Sequence, residues 1–107
     1  MKILFDQGAP VPLRAHLFAH EVDTAYERGW SELQNGDLLQ AAEADSYDVF
    51  VTTDQNLKYQ QNLMGRKLAI LVLLTTSWPI IKPHSAEICQ IIEGLVIGEY
   101  QEFGIIA

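Results

Sequence analysis

Val49-Phe50-Val51-Thr52-Thr53-Asp54 is the stretch on which the fold turns: five β-branched or aromatic residues in a row, closed by an acid. A strand with one wet face alternates apolar and polar residues, so a run this continuous predicts a strand covered on both faces, at the centre of a parallel sheet. Upstream, Lys2 to Phe5 is a second short apolar run that also meets an acid, Asp6; downstream, Lys67 to Leu74 is a third. Gly8, Pro10 and Pro12 read as a turn and a helix start, followed by Leu13, Leu17 and Phe18 at helical spacing. Glu21 to Ala25 alternates weakly and is expected as another strand, with Gly29 and Asn35-Gly36 marking a loop around Trp30. Asn35 is expected to cap a helix that carries Leu38, Leu39, Ala41 and Ala42 on one side and runs to about Asp45. Polar residues 55–63 read as a short helix. Pro79 and Pro83 then interrupt the chain, Ile88, Ile91, Ile92 and Leu95 form one helical stripe ending near Gly94 or Gly98, and Tyr100 to Ile106 is expected as a last edge strand. Strand and helix alternate throughout. That order implies an α/β fold: a mostly parallel central sheet of about four to five strands, flanked by helices and linked by right-handed crossovers.

A chain of 107 residues, 49% apolar and 20% charged with only four prolines, fits one packed domain over 1–107 and not a disordered linker. Its longest apolar run, Leu68 to Leu74, is far short of the roughly 20 residues needed to cross a bilayer, so no membrane partner is expected. The apolar residues before Asp6 are too few for a signal peptide, and the lone Cys89 has no partner for an internal disulfide. Cytoplasmic localisation is the resulting expectation. Fourteen acids against seven bases give a net charge of -7, which disfavours non-specific binding to polyanions. The sign is uneven, however: residues 55–86 hold no acid and four bases, Lys58, Arg66, Lys67 and Lys82. With Tyr59, Trp78 and His84 among them, this segment is either a local phosphate-facing surface or a solvated face.

Chemistry in open parallel sheets sits outside the carboxyl ends of the strands, where the strand order reverses. If the strands ending at Phe5 and Thr53 are neighbours, about 5 Å apart, Asp6 and Asp54 share one crevice. Two carboxylates that close repel unless a cation or proton lies between them. Asp37, in the first turn of the helix opened by Asn35, is the candidate third oxygen ligand. Three carboxylates without His or Cys suit Mg2+ or Mn2+, and the implied chemistry is metal-assisted phosphodiester hydrolysis. Each acid also has a local reading: Asp37 complements a helix dipole, and Asp6 and Asp54 cap the turns after their strands. The polar cluster after Asp54 offers amides, a cation and a ring, and Thr53, Asn56, Lys58 and Gln61 are the expected substrate contacts. His16 and His20 have the i, i+4 spacing of a helical metal pair, but no matching third ligand follows, so zinc is not assigned. Cys89 reads as core packing, and Trp30 and Trp78 as covers for the sheet or an interface.

The segments ILFDQGAP, NGDLLQAAEADSYDVFVTTDQNLKYQQNL and GRKLAILVLLTTSWPII resemble the small PIN-like domains, relatives of the toxin-type PIN ribonucleases, over about residues 1–95. Carried over by position, Asp6 matches the acid after the first strand, Asp37 the acid on the middle helix and Asp54 the acid of the Thr-Thr-Asp strand end. The resemblance implies Mg2+- or Mn2+-dependent cleavage of single-stranded RNA by the toxin half of a toxin-antitoxin pair, with an antitoxin protein as partner. One departure stands out. Many active PIN nucleases carry a fourth acid after the third, and residues 55–86 have none, leaving Asn56 or Asn62 as neutral oxygen donors. Two other classes stay open: a PIN-shaped binding module without catalysis, using Leu95 to Ile106 and Trp78 to hold a partner or a second copy as a homo-oligomer, and a phosphoryl-accepting domain with Asp54 as acceptor, which needs a lysine at a late strand end.

Overall fold

The computed structural model describes residues 1–60, 63 and 65–104. Strands β1 (Lys2–Phe5), β2 (Glu21–Thr24), β3 (Val49–Thr52), β4 (Ala69–Leu73) and β5 (Tyr100–Phe103) form one sheet in the order β2-β1-β3-β4-β5. Every pairing is parallel. As the continuous apolar runs predict, β3 and β4 are buried along their whole length. One face of the sheet presents Ile3, Phe5, Val49, Val51, Leu71 and Leu73; the other presents Leu4, Phe50, Ile70 and Val72.

Helices cover both faces. A 3-10 segment, Val11–Leu17, and helix α4 (Ser85–Gly94) pack on the first face through Leu13, Leu17, Ile88 and Ile92, with Trp78 at its margin. Helices α1 (Asn35–Ala44) and α2 (Leu57–Gln60) cover the second through Leu38, Leu39, Ala42 and Leu57, with Trp30 beside them. Two fully buried layers on one sheet are the main apolar contribution to stability, at about 25 cal/mol per Å2 removed from water.

Several local expectations change. Pro12 lies in the first turn of the Val11–Leu17 segment, which winds as a 3-10 helix, so Phe18 leaves the apolar stripe and is 89% exposed. Asn35 lies inside α1, with Gln34 at the cap position. Between Pro79 and Pro83 the chain does not merely break: each proline sits in the first turn of a short helix, α3 (Trp78–Ile81) and the 3-10 turn Lys82–His84. The last strand ends at Phe103, and residues 105–107 of the expected strand lie outside the described residues.

The crossovers are not all of one hand. The β1–β2 and β4–β5 connections lie over the same face but step in opposite directions along the sheet, so their hands are opposite. The β2–β3 and β3–β4 connections use the other face and agree with β1–β2. The exception has a packing reason: the short 3-10 segment supplies two buried leucines, and α4 is needed beside it to cover Val51 and Leu71. Among the described residues, no helix is long and apolar enough to cross a membrane.

Glu43 on α1 ties this helix to the loop entering β4, accepting from the Arg66 guanidinium and, at 3.0 Å, from the Lys67 amide. Burial pushes the Glu43 carboxyl up, but Arg66 and the Lys67 amide outweigh it and hold the group below the usual glutamate range. A depressed carboxyl pKa adds stability above the ordinary value and loses it as pH falls through the folded-state value. Glu43→Gln is therefore expected to lower unfolding free energy by about 1–2 kcal/mol at neutral pH. The gap should close in acid, below about pH 4. Urea denaturation of both proteins at the two pH values checks this, and a gap independent of pH would exclude the ion pair as its source.

Candidate functional site

The chain leaves β1 toward one edge of the sheet and β3 toward the other, although the two strands are neighbours. The gap between their carboxyl ends is the reversal point at which open α/β sheets bind ligands. Asp6 is the first residue beyond β1, and its amide extends the ladder by donating to the Val51 carbonyl at 3.0 Å. Phe5 pairs with Val51, so Asp6 stands level with Thr52, the fully buried last residue of β3.

Thr52 joins the two strand-end acids. Its hydroxyl donates to Asp6 Oδ2 at 2.5 Å, and Thr52 Oγ1 accepts from the Asp54 amide at 3.0 Å. Asp6 Oδ1 accepts from the Gly8 amide at 2.6 Å, and Asp54 Oδ1 from the Asn56 amide at 2.9 Å. Each acid thus closes the turn that leaves its strand, as the local reading expects, and both do so at one rim. The two readings are compatible, because a carboxylate oxygen holding one hydrogen bond keeps a second lone pair.

Two clefts meet at Asp6 and Gln7. The larger, about 430 Å3, is lined also by Val11, Arg14, Thr24, Tyr26 and Glu27. The smaller, about 110 Å3, runs past Ala25, Trp30 and Ser31 to Leu38 in the first turn of α1. Asp37 is exposed, one residue before Leu38, and its side chain has no hydrogen bond or ion pair among the described residues. The structure therefore links the Asp6 carboxylate to the Asp54 backbone through Thr52 and sets Asp37 on the helix turn that borders the smaller cleft, but it does not bring the three carboxylates within 4.8 Å of one another.

The expected substrate contacts divide. Thr53 is half-buried against the Gly8 turn: a Cβ built at Gly8 would lie 2.2 Å from Thr53 Oγ1, which is why glycine is needed there. Asn56 is exposed, with its amide used by Asp54. Lys58 Nζ lies 2.9 Å from Glu102 Oε2 and 5.2 Å from the Tyr59 ring centre. Gln61, like Asn62, lies outside the described residues.

Sequence reasoning missed Glu102. From β5 it accepts from both Lys58 and the Tyr100 hydroxyl, the latter at 2.8 Å. Lys58 first, then Tyr100, hold the Glu102 carboxyl below its ordinary range, and Glu102 in turn raises the Lys58 ammonium. Burial, then Glu102, pushes the Tyr100 phenol strongly upward, with a smaller contribution from the Asp54 charge. An acid from the end of the chain thus stands by the polar segment after Asp54. Its only signal was the spacing of Tyr100 and Glu102, two apart on one face of a strand.

The two histidines separate. Because the 3-10 segment stops at Leu17, His20 is not on the element that carries His16. The His16 ring stacks near Trp78 at 5.9 Å, whereas His20 Nε2 lies 2.7 Å from Glu93 Oε2 on α4.

Compared with known proteins, the chain matches no family model, no curated protein and no solved structure. Its chemistry is argued from its own side chains.

The Gly8 contact is directly testable. Gly8→Ala is expected to cost about 1–3 kcal/mol by driving a methyl into the Thr53 hydroxyl. Thr53→Ala in the same chain should recover much of that loss, giving a coupling well above about 0.5 kcal/mol in a double-mutant cycle followed by urea denaturation. Additive losses would rule the contact out.

Proposed function

We propose that this chain is a PIN-like, metal-dependent endoribonuclease that hydrolyses single-stranded RNA, the toxin half of a cytoplasmic toxin-antitoxin pair. One observation carries the reading: the buried Thr52 hydroxyl ties the Asp6 carboxylate and the Asp54 backbone to the same rim, at the reversal point of the sheet. The donors at this rim are all oxygens, the set that suits a hard divalent cation such as Mg2+ or Mn2+. When bound, such a cation lowers the pKa of a water and neutralises charge developing on a phosphate.

The chain's own groups supply the rest. Thr52 and the Gly8 amide fix the Asp6 carboxylate, and the Asn56 amide fixes that of Asp54, so two ligands are oriented before any ion arrives. Asp37, exposed on the α1 turn, would add a third carboxylate only by moving toward the rim. The larger cleft gives a strand of RNA a path beside Asp6, with the 77%-exposed Tyr26 as a stacking surface. Lys58 supplies positive charge on the Asp54 side by exchanging Glu102 for a phosphate, a small loss for an exposed ion pair.

A second reading, a PIN-shaped binding module without catalysis, is favoured by the same geometry in one respect: both Asp6 oxygens and the Lys58 ammonium already have protein partners. The phosphoryl-accepting alternative finds less support, because the residues closing β4 and β5, Leu73-Leu74 and Phe103-Gly104, include no lysine.

Purified protein with single-stranded RNA and Mn2+ separates these readings. Cleavage is expected only with the ion, and Asp6→Asn or Asp54→Asn should each lower it at least about 100-fold while circular dichroism stays unchanged. Full activity in the double variant would sink the nuclease assignment. RNA binding without cleavage in the parent protein would favour the module.

A further inference from the structure

Cys89 and Glu93 lie one turn apart on α4, and His20 reaches them from the corner between the 3-10 segment and β2. One ligand atom from each, an imidazole nitrogen, the thiol sulfur and a carboxylate oxygen, all lie within 4.8 Å of one another. We propose that His20, Cys89 and Glu93 form a cation site for a borderline-soft divalent ion, Zn2+ before all others, separate from the oxygen-only rim of Asp6 and Asp54.

The donor set points to that class. A thiolate and an imidazole select zinc over magnesium or manganese, with bonds of about 2.3 Å to sulfur and about 2.0–2.2 Å to nitrogen and oxygen. Atoms already this close reach a common ion by small side-chain shifts. The geometry also divides rigid from adjustable ligands. The His20 side chain is 10% exposed, which limits the movement of its ring. Glu93 is about half exposed and can shift once its 2.7 Å contact with His20 is exchanged. Cys89 packs at the margin of the first apolar layer, which fixes its sulfur near the surface.

Burial, then the Glu93 charge, pushes the thiol up, so Cys89 keeps its proton until a metal displaces it. On binding, the sulfur–hydrogen bond breaks, the proton passes to solvent and the sulfur lone pair bonds the metal. His20 binds through Nε2 in the tautomer protonated at Nδ1, so the ring gives up its hydrogen bond from the Met1 amino group, and the Glu93 oxygen exchanges its hydrogen bond for a metal bond. A water completes four-coordination. Such an ion would pin α4 to the corner preceding β2 and raise stability by mass action, since only the folded chain brings these residues together.

Cobalt titration is the test, because Cys89 is the chain's single cysteine and any thiolate-to-cobalt charge-transfer band must arise from it. The parent protein should give that band at one ion per monomeric chain, with Zn2+ and not Mg2+ displacing the ion and Zn2+ raising the melting temperature. Cys89→Ala should abolish the band, and His20→Gln should weaken binding at least about 100-fold. Asp6→Asn/Asp54→Asn should leave the band unchanged, which separates this site from the proposed nuclease centre. Should either α4 or corner variant fail to fold, Glu93→Gln, on an exposed position, should still weaken cobalt binding. Absence of the band in the parent protein, a band indifferent to His20→Gln or Glu93→Gln, or one ion shared by two chains would each overturn the proposal.

Discussion

Burial of the sheet on both faces is the constraint from which the rest follows. Along β3 every residue from Val49 to Thr52 is buried, and a carboxylate placed among them would lose its hydration without a partner. The first position at which an acid can stand is past the end of the strand. Asp6 and Asp54 occupy such positions after the two central strands, and Thr52, the last buried residue of β3, carries the hydroxyl that both turns need. A threonine suits this place because its methyl fits an apolar layer while its oxygen serves the rim. Valine there would leave the Asp6 oxygen and the Asp54 amide short of one partner each.

What was legible in the sequence follows from the same constraint. The continuous runs around Val49–Thr52 and Ala69–Leu73 mark strands covered twice, and the acids that follow the Val49–Thr52 run and the Lys2–Phe5 run mark the rim. Strand order was not legible in that way, since an apolar run says how deeply a strand is buried and nothing about its neighbour. Expecting Asp6 and Asp54 to share a crevice needed β1 beside β3, which the pairing of Phe5 with Val51 provides. Long-range side-chain contacts were the least legible. Lys58 meets Glu102 across 44 residues and His20 meets Glu93 across 73, and neither spacing has a period that a single helix or strand imposes.

The hand of the β4–β5 connection shows local preference yielding to coverage. A polar segment follows β3, so α2 is one turn long and brings Leu57 as its fully buried residue. The longest apolar helical stripe in the chain comes after β4, in Ile88, Ile92 and Leu95. That stripe packs on the face where the 3-10 segment supplies only Leu13 and Leu17. The usual hand of such crossovers is a steric preference of the chain, and here the demand of two cores outweighs it.

Charge pairing bears on how an acidic chain would meet a polyanion. Lys2, Arg14, Arg28, Lys58 and Arg66 are each engaged by an acid. Around Arg28 the pairing becomes a network: its guanidinium meets Asp45 and, at 2.9 Å, the Tyr47 hydroxyl, which itself donates to Asp23 at 2.6 Å. Burial, then the Asp23 bond, pushes the Tyr47 phenol up to about 12, so it stays a donor throughout the physiological range. Cations committed in this way fix loops and helix ends and leave little unpaired positive charge for phosphates. With five of the seven bases so used, the bases beside the strand-end rim are already committed, Lys58 to Glu102 and Arg14, at the Asp6 cleft, to Glu27. Releasing either base for a phosphate brings one charge to the rim and frees an acid beside it.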